Sequence, residues 1–456
     1  MAEPKAVKTS TRLSLRKLVA CVGAFLVVLV VTLAFCFLLF GSAIVNGYAK
    51  GKVEQTFAKA RPGFVLRIGH LGYAMGANAV VAESVAVSGT NAMFKADEIS
   101  LMGVHWAKLL RGKAAVADVL AKASLDATNL EAEFPQARYG VRCARLRASV
   151  AASELVAEGT ELRTLGGDNE FFAAHDFRTA RFHVVVPECR VLGVDYGELF
   201  GATSYRARSV HFFRPAFEAL VDRYKPVRPF VKSPLMVHEA LAAILKPLQI
   251  DSLRVTDGSI RFCEQVVAGA NPGALTFTAV SLSAEGIANR GGTSAAITLQ
   301  GQGNLMDAGT MKVLMTIPIM PTNFSLHYAG SLSAMNLTNL NAFLDVDAHT
   351  RITSGAVKEA DFEIDVAAGH ARGHVRGSYQ NLEIAFLDKQ SGAANGIEDR
   401  VTSFLANMLK IRSSNTPEAP ALAKEGEVNY TRKPNEQFQQ FLWFALRTGV
   451  LDIISH

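Results

Sequence analysis

Cysteine is scarce in this chain: five residues in 456. Cys143, Cys189 and Cys263 are far apart, odd in number and outside any C-x-x-C spacing, while Cys21 and Cys36 fall in one apolar run. Neither a disulfide framework nor a thiolate zinc site follows, and isolated buried thiols are the reading. Catalytic signatures are missing too. There is no G-x-S-x-G, no Walker motif and no H-E-x-x-H. Gly301-Gln302-Gly303 opens like a dinucleotide fingerprint, but Met306 stands where the third glycine belongs. His370 with His374, and Asp345 and Asp347 with His349, have the spacing of ordinary surface polar residues and are not read as metal ligands. No catalytic residue, metal site or cofactor is expected. A dense basic patch interleaved with aromatics is also lacking, which argues against nucleic acid as a partner.

Charge is absent from residues 18–49. Sixteen of residues 18–40 are Leu, Val or Phe, and such residues each favour bilayer insertion by roughly 0.3–0.6 kcal/mol. The sum is on the order of −5 kcal/mol or better. The run exceeds the roughly 7–15 apolar residues of a cleaved signal peptide, although Gly41-Ser42-Ala43 resembles a cleavage site. Residues 18–45 are therefore expected to be a transmembrane anchor. The preceding tail, 1–17, carries Lys5, Lys8, Arg12, Arg16 and Lys17 against Glu3. Its excess of cations predicts a cytoplasmic N-terminus, with the bulk of the chain on the other side. The formal net charge is +6, and the tail supplies +4 of it. The basic balance is thus largely a topology signal.

Beyond a short helical neck at 53–60 the pattern turns to period two. Segments 64–68, 79–88, 92–102 and 115–125 read as strands, with a helical turn at 106–110. A second block has strands at 177–186 and 209–213 and a helix over 215–224, started by Pro215. Pro226, Pro229 and Pro234 mark a stiff linker, 226–234. This places one β-rich domain at 46–225 and another at 235–456, the latter beginning with a helix over 235–245. In the second domain Met311, Val313, Met315, Ile317 and Ile319 alternate along one face, as do Phe324, Leu326 and Tyr328, then Phe362, Ile364 and Val366, then Leu382, Ile384 and Phe386. Such alternation predicts a sheet with one dry and one wet face, usually antiparallel. Segments 254–260 and 351–357 match position by position, each with a glycine suited to a turn between strands. Helices are expected at 397–411 and 438–447. The second of these, aromatic-rich, suits either a membrane surface or a cover for the sheet.

The anchor, Arg67-Ile68-Gly69, the run ADEISL at 96–101 and WAKLLRG at 106–112 resemble the start of AsmA-like proteins. In the C-terminal half LRVTDGSIRF at 253–262, PGALTF at 272–277, LTNLNAFL at 337–344, the segment 351–357 and the ending 441–454 resemble AsmA-like domains of unassigned function. The resemblance implies a protein of the bacterial inner membrane, related to the larger TamB and YhdP proteins. It further implies a single-pass anchor, an elongated, curved, mainly antiparallel β-sheet in the periplasm, and a role in phospholipid traffic or outer-membrane biogenesis. No catalytic residue comes with it.

A curved sheet with a continuous apolar inner face suits this role. Two acyl chains exposed to water cost on the order of 20 kcal/mol, at about 0.8 kcal/mol per methylene. The candidate groove residues are Met311, Val313, Met315, Ile317, Phe324, Leu326, Phe362, Ile364, Leu382 and Ile384. Phospholipid acyl chains are the expected partner. The same residues equally suit a closed core. A scaffold that binds envelope proteins through its strand edges is the alternative function.

Overall fold

A computed structural model describes residues 50–105, 116–229, 233–291, 295–319, 323–387, 411–416 and 424–455. The tail at 1–17, the anchor at 18–45, the helical turn at 106–110 and nearly all of the helix at 397–411 lie outside them. Among the described residues no helix is long and apolar enough to cross a membrane. The chain is mainly β and forms two compact units, Met1–Gly167 and Asp168–His456.

The first unit is an antiparallel meander. Helix α1 (Lys50–Ala60) leads into β1 (Phe64–Ala74), β2 (Ala79–Gly89), β3 (Met93–Met102), β4 (Ser124–Phe134), β5 (Tyr139–Ser149) and β6 (Glu154–Thr164). Each strand pairs with the next. A short helix, α2 (Val116–Leu120), replaces the first half of the strand expected at 115–125. Val53 and Phe57 of α1 are buried, and Glu54 Oε1 accepts the Ile68 amide at 3.0 Å, so the helix occupies the free edge of β1.

The strands of this meander share one irregularity. Inward residues run Phe94, Ala96, then Ile99, Leu101 in β3, and Leu125, Ala127, then Leu130, Ala132 in β4. Two consecutive residues are skipped, and positive φ at Ser84, Asn129 and Gly159 absorbs the change of phase in alternate strands. At Gly159 a Cβ would meet that of Ala144 at 2.9 Å, so the seam needs small residues as well as a left-handed backbone. The seam keeps the dry face continuous across β1–β6 while bending each strand.

The second unit contains α3 (Asp168–Ala173), β7 (Ala180–Leu192), α4 (Tyr196–Gly201), β8 (Tyr205–Phe213), β9 (Ala216–Asp222), α5 (Val237–Ala242), β10 (Leu248–Gln265) and β11 (Gly273–Ala288). Then come β12 (Ala296–Leu305), β13 (Gly309–Pro318), β14 (Leu326–Leu332), β15 (Met335–Asn336), α6 (Asn341–Asp347), β16 (Thr350–Ala367), β17 (His370–Phe386), β18 (Gly426–Thr431) and α7 (Phe438–Ile454). From β10 to β18 neighbours are antiparallel.

Three expectations change here. Residues 215–224 form strand β9, not a helix. β9 pairs with β7 on one side and β10 on the other, and these partners override a helical start signal at Pro215. Pro215 instead sits at the junction of β8 and β9, beside Arg214 at φ 48°, and its carbonyl accepts the Ser259 amide at 2.8 Å. The proline-rich stretch 226–234 is not where the compact units divide. β8 and β9 run parallel to β10, and a parallel pair needs a crossover connection, which residues 223–247 with α5 provide. The matched segments 254–260 and 351–357 are not hairpin turns either. Each lies inside a single 18-residue strand where the pairing register shifts, and Asp257 and Gly355 there have positive φ.

Candidate functional site

The expected groove residues come together, but under a roof. Met315, Ile317, Phe324, Leu326, Phe362 and Ile364 belong to one buried cluster, with Met311 packed at its margin. Phe441 and Ala445 of α7 and Met236, just before α5, complete it. The register explains the meeting: Met315 lies opposite Tyr328, Tyr328 opposite Ile364, and Gly330 opposite both Val313 and Phe362. Val313 is half-buried. Leu382 and Ile384 join a second cluster with Ile352, Tyr379 and Ile453. Helix α7 is fastened down by Tyr328, whose hydroxyl donates to the Leu442 carbonyl at 3.1 Å, and by Tyr379, whose hydroxyl donates to Ile453 O at 3.3 Å. Its aromatic face therefore covers the sheet, while Trp443 points to solvent.

Apolar surface that α7 does not cover lies elsewhere on the dry faces. In the first unit a trough of about 190 Å³ crosses β2 to β6, lined by Val85, Phe94, Ala96, Leu130, Val141 and Leu146 among others. Cross-strand register builds it: Phe94 lies opposite Ala132 and Ala132 opposite Val141, while Leu130 faces Cys143 and Cys143 faces Thr160. Charge stays on the other face, where Arg145 grips Asp126 at 2.9 and 2.5 Å and Arg142 pairs with Glu131. The Arg145 hydrogen bond holds Asp126 below the usual carboxylate range. Burial pushes the Cys143 thiol up, and its Sγ donates to the Arg145 carbonyl at 3.3 Å.

The second unit has its own uncovered row. Val184 lies opposite Phe217, Phe217 opposite Ile260, Ile260 opposite Phe277, and Phe277 opposite Leu305. Phe182, Phe217 and Ile260 remain 37–38% exposed. These surfaces carry weaker sequence signals than the roofed core. β-strand patterning was legible at 92–102, but small inward residues at 96, 132 and 157 mark a hollow only once strand register is known.

A buried polar cluster closes one end of the second unit. Arg223, after β9, donates from Nη1 to both Glu264 of β10 and Asp347 of α6. Burial, reinforced by a hydrogen bond with Glu264, raises Asp347 well above the usual carboxylate range, against the pull of Arg223. Asp345 turns the other way, to Arg351, and His370 Nδ1 lies 2.8 Å from Thr431 Oγ1. Among the described residues no group of three or more His, Cys, Asp or Glu is placed to hold a metal ion.

Scanned against protein-family profiles, the chain matches none. A search of curated proteins likewise finds no similar sequence.

Proposed function

We propose that this protein binds lipid acyl chains on the uncovered apolar faces of its sheets. In this reading it is an AsmA-like protein anchored in the bacterial inner membrane by residues 18–45, and it contributes to phospholipid traffic or outer-membrane biogenesis from the periplasm. The observation that carries the proposal is the trough of the first unit, a hollow lined mostly by apolar residues, where Lys95 is exposed and Glu131 is paired with Arg142. Each methylene removed from water there is worth about 0.8 kcal/mol. The half-exposed row of Phe182, Phe217 and Ile260 offers a second surface of the same chemistry.

The test is native mass spectrometry of the full chain after incubation with phospholipid vesicles. Bound phospholipid at fixed stoichiometry is expected, and a Leu130→Glu variant with unchanged circular dichroism should lose it, because a charge buried without a partner is costly. A folded wild-type protein that takes up no lipid would overturn the proposal and favour the scaffold acting through strand edges.

A further inference from the structure

We infer that Ala96, Ala132 and Ala157 set the capacity of the trough, so that it takes a segment of one unbranched acyl chain, with no room for a second chain beside it or for fused rings. This rests on the lipid reading above. Protein interiors leave few voids larger than a water molecule, yet here a hollow of about 190 Å³ persists on a dry face. Its floor is small and its walls are large. Ala132 lies between Phe94 and Val141, Ala96 is opposite Val85, and Ala157 is opposite Leu146. An apolar cavity of about 150 Å³ accepts benzene. By that measure the trough holds roughly six to eight carbons, well short of the ~300–1,000 Å³ that encloses a whole drug-sized ligand.

The lining also says what is not recognised. Lys95 is exposed and Glu131 pairs with Arg142 on the opposite face. Cys143 and Thr160 are the polar side chains turned inward. Nothing there complements a phosphate or a carboxylate, so the trough reads the chain and leaves the head group outside. Free fatty acid and phospholipid share that chain chemistry.

Cys143, within the lining, is a native reporter. Full-length protein is alkylated with a maleimide, and the modification of Cys143 is followed by peptide mass spectrometry. Separate arms contain no lipid, decanoate, phosphatidylglycerol vesicles, or a sterol sulfate. Decanoate and vesicles are expected to slow alkylation and the sterol sulfate to leave it unchanged. Protection by decanoate alone would assign the site to free fatty acid, and protection by vesicles as well would include phospholipid. Filling the floor with Ala132→Leu, or independently Ala157→Leu, should cut the protection about tenfold or more, which corresponds to about 1.4 kcal/mol or more of lost affinity. Ala132→Ser keeps the volume and should retain protection. Leucine variants that fold and stay fully protected would overturn the capacity assignment while leaving lipid binding intact. Equal protection by the sterol sulfate would overturn it too. Wild-type protein unprotected by any lipid would instead sink the lipid reading itself.

Discussion

Ile364 shows what a single position in this sheet is for. It has no exposed surface and sits in the cluster roofed by α7. Ile364→Ala is expected to cost about 2–5 kcal/mol, read as a lowered urea midpoint with no selective loss of bound lipid. Phe362→Glu should unfold the second unit, since its charge would have no partner under the helix; a natively melting Phe362→Glu protein would contradict the roofed core. Asp347 supplies a pH dependence. Its folded pKa is raised, so the native state holds the proton more tightly than the unfolded chain does. That contribution is complete below the unfolded value of about 3.9 and is lost as pH rises through the folded value. Asp347→Asn cannot ionise, and its stability relative to wild type should increase as pH rises above about 4, where the unfolded carboxyl ionises, and level off once the folded carboxyl has ionised too. A difference independent of pH would refute this. The alternation that placed Ile364 and Phe362 on one face was plain in the sequence, because period two is written in adjacent residues. Whether that face met lipid or protein was not.

Among the elements, α7 and β9 teach opposite lessons. The apolar content of α7 marked it as a helix, and the close approach that seats it depends on two glycines 23 positions apart in the sequence, Gly426 and Gly449. A Cβ on Gly449 would lie 2.5 Å from Val375 Cγ2 and 2.7 Å from Val428 Cγ2. Gly449→Leu is therefore expected to lift the helix and cost about 1–3 kcal/mol or more, with Trp443 fluorescence reporting the loosened packing. Unchanged melting would show that the helix is not seated by this contact. β9 reads as a helix locally because Pro215 suits a helix start, yet both its edges are claimed by β7 and β10. Hydrogen-bond partners distant in sequence decided that element, and no window of its own residues contains them.

For the whole molecule, the division at Gly167 carries a prediction. The first unit is an antiparallel meander whose described residues have their own core, from Val53 to Val156. A fragment of residues 50–167 is expected to refold cooperatively with a β-type circular dichroism spectrum, and a fragment that stays unfolded would show that the unit depends on the remainder. The proline-rich stretch suggested a different boundary because stiffness marks linkers and crossovers alike. Only strand pairing across it, β8 and β9 with β10, tells them apart.

By itself the sequence determined the charge-free apolar run at 18–40, the mainly β character and the dry face of most strands. Each is a local property, fixed by hydropathy or by the alternation of neighbouring side chains. Tertiary structure decided which dry surface is sealed and which is left open. The lid over Phe324 and Phe362 comes from Phe441, and the trough exists because Ala96, Ala132 and Ala157 meet larger residues on neighbouring strands. Cover and hollow are both made between segments, so the physical information that separates a core from a binding surface is absent from any one of them.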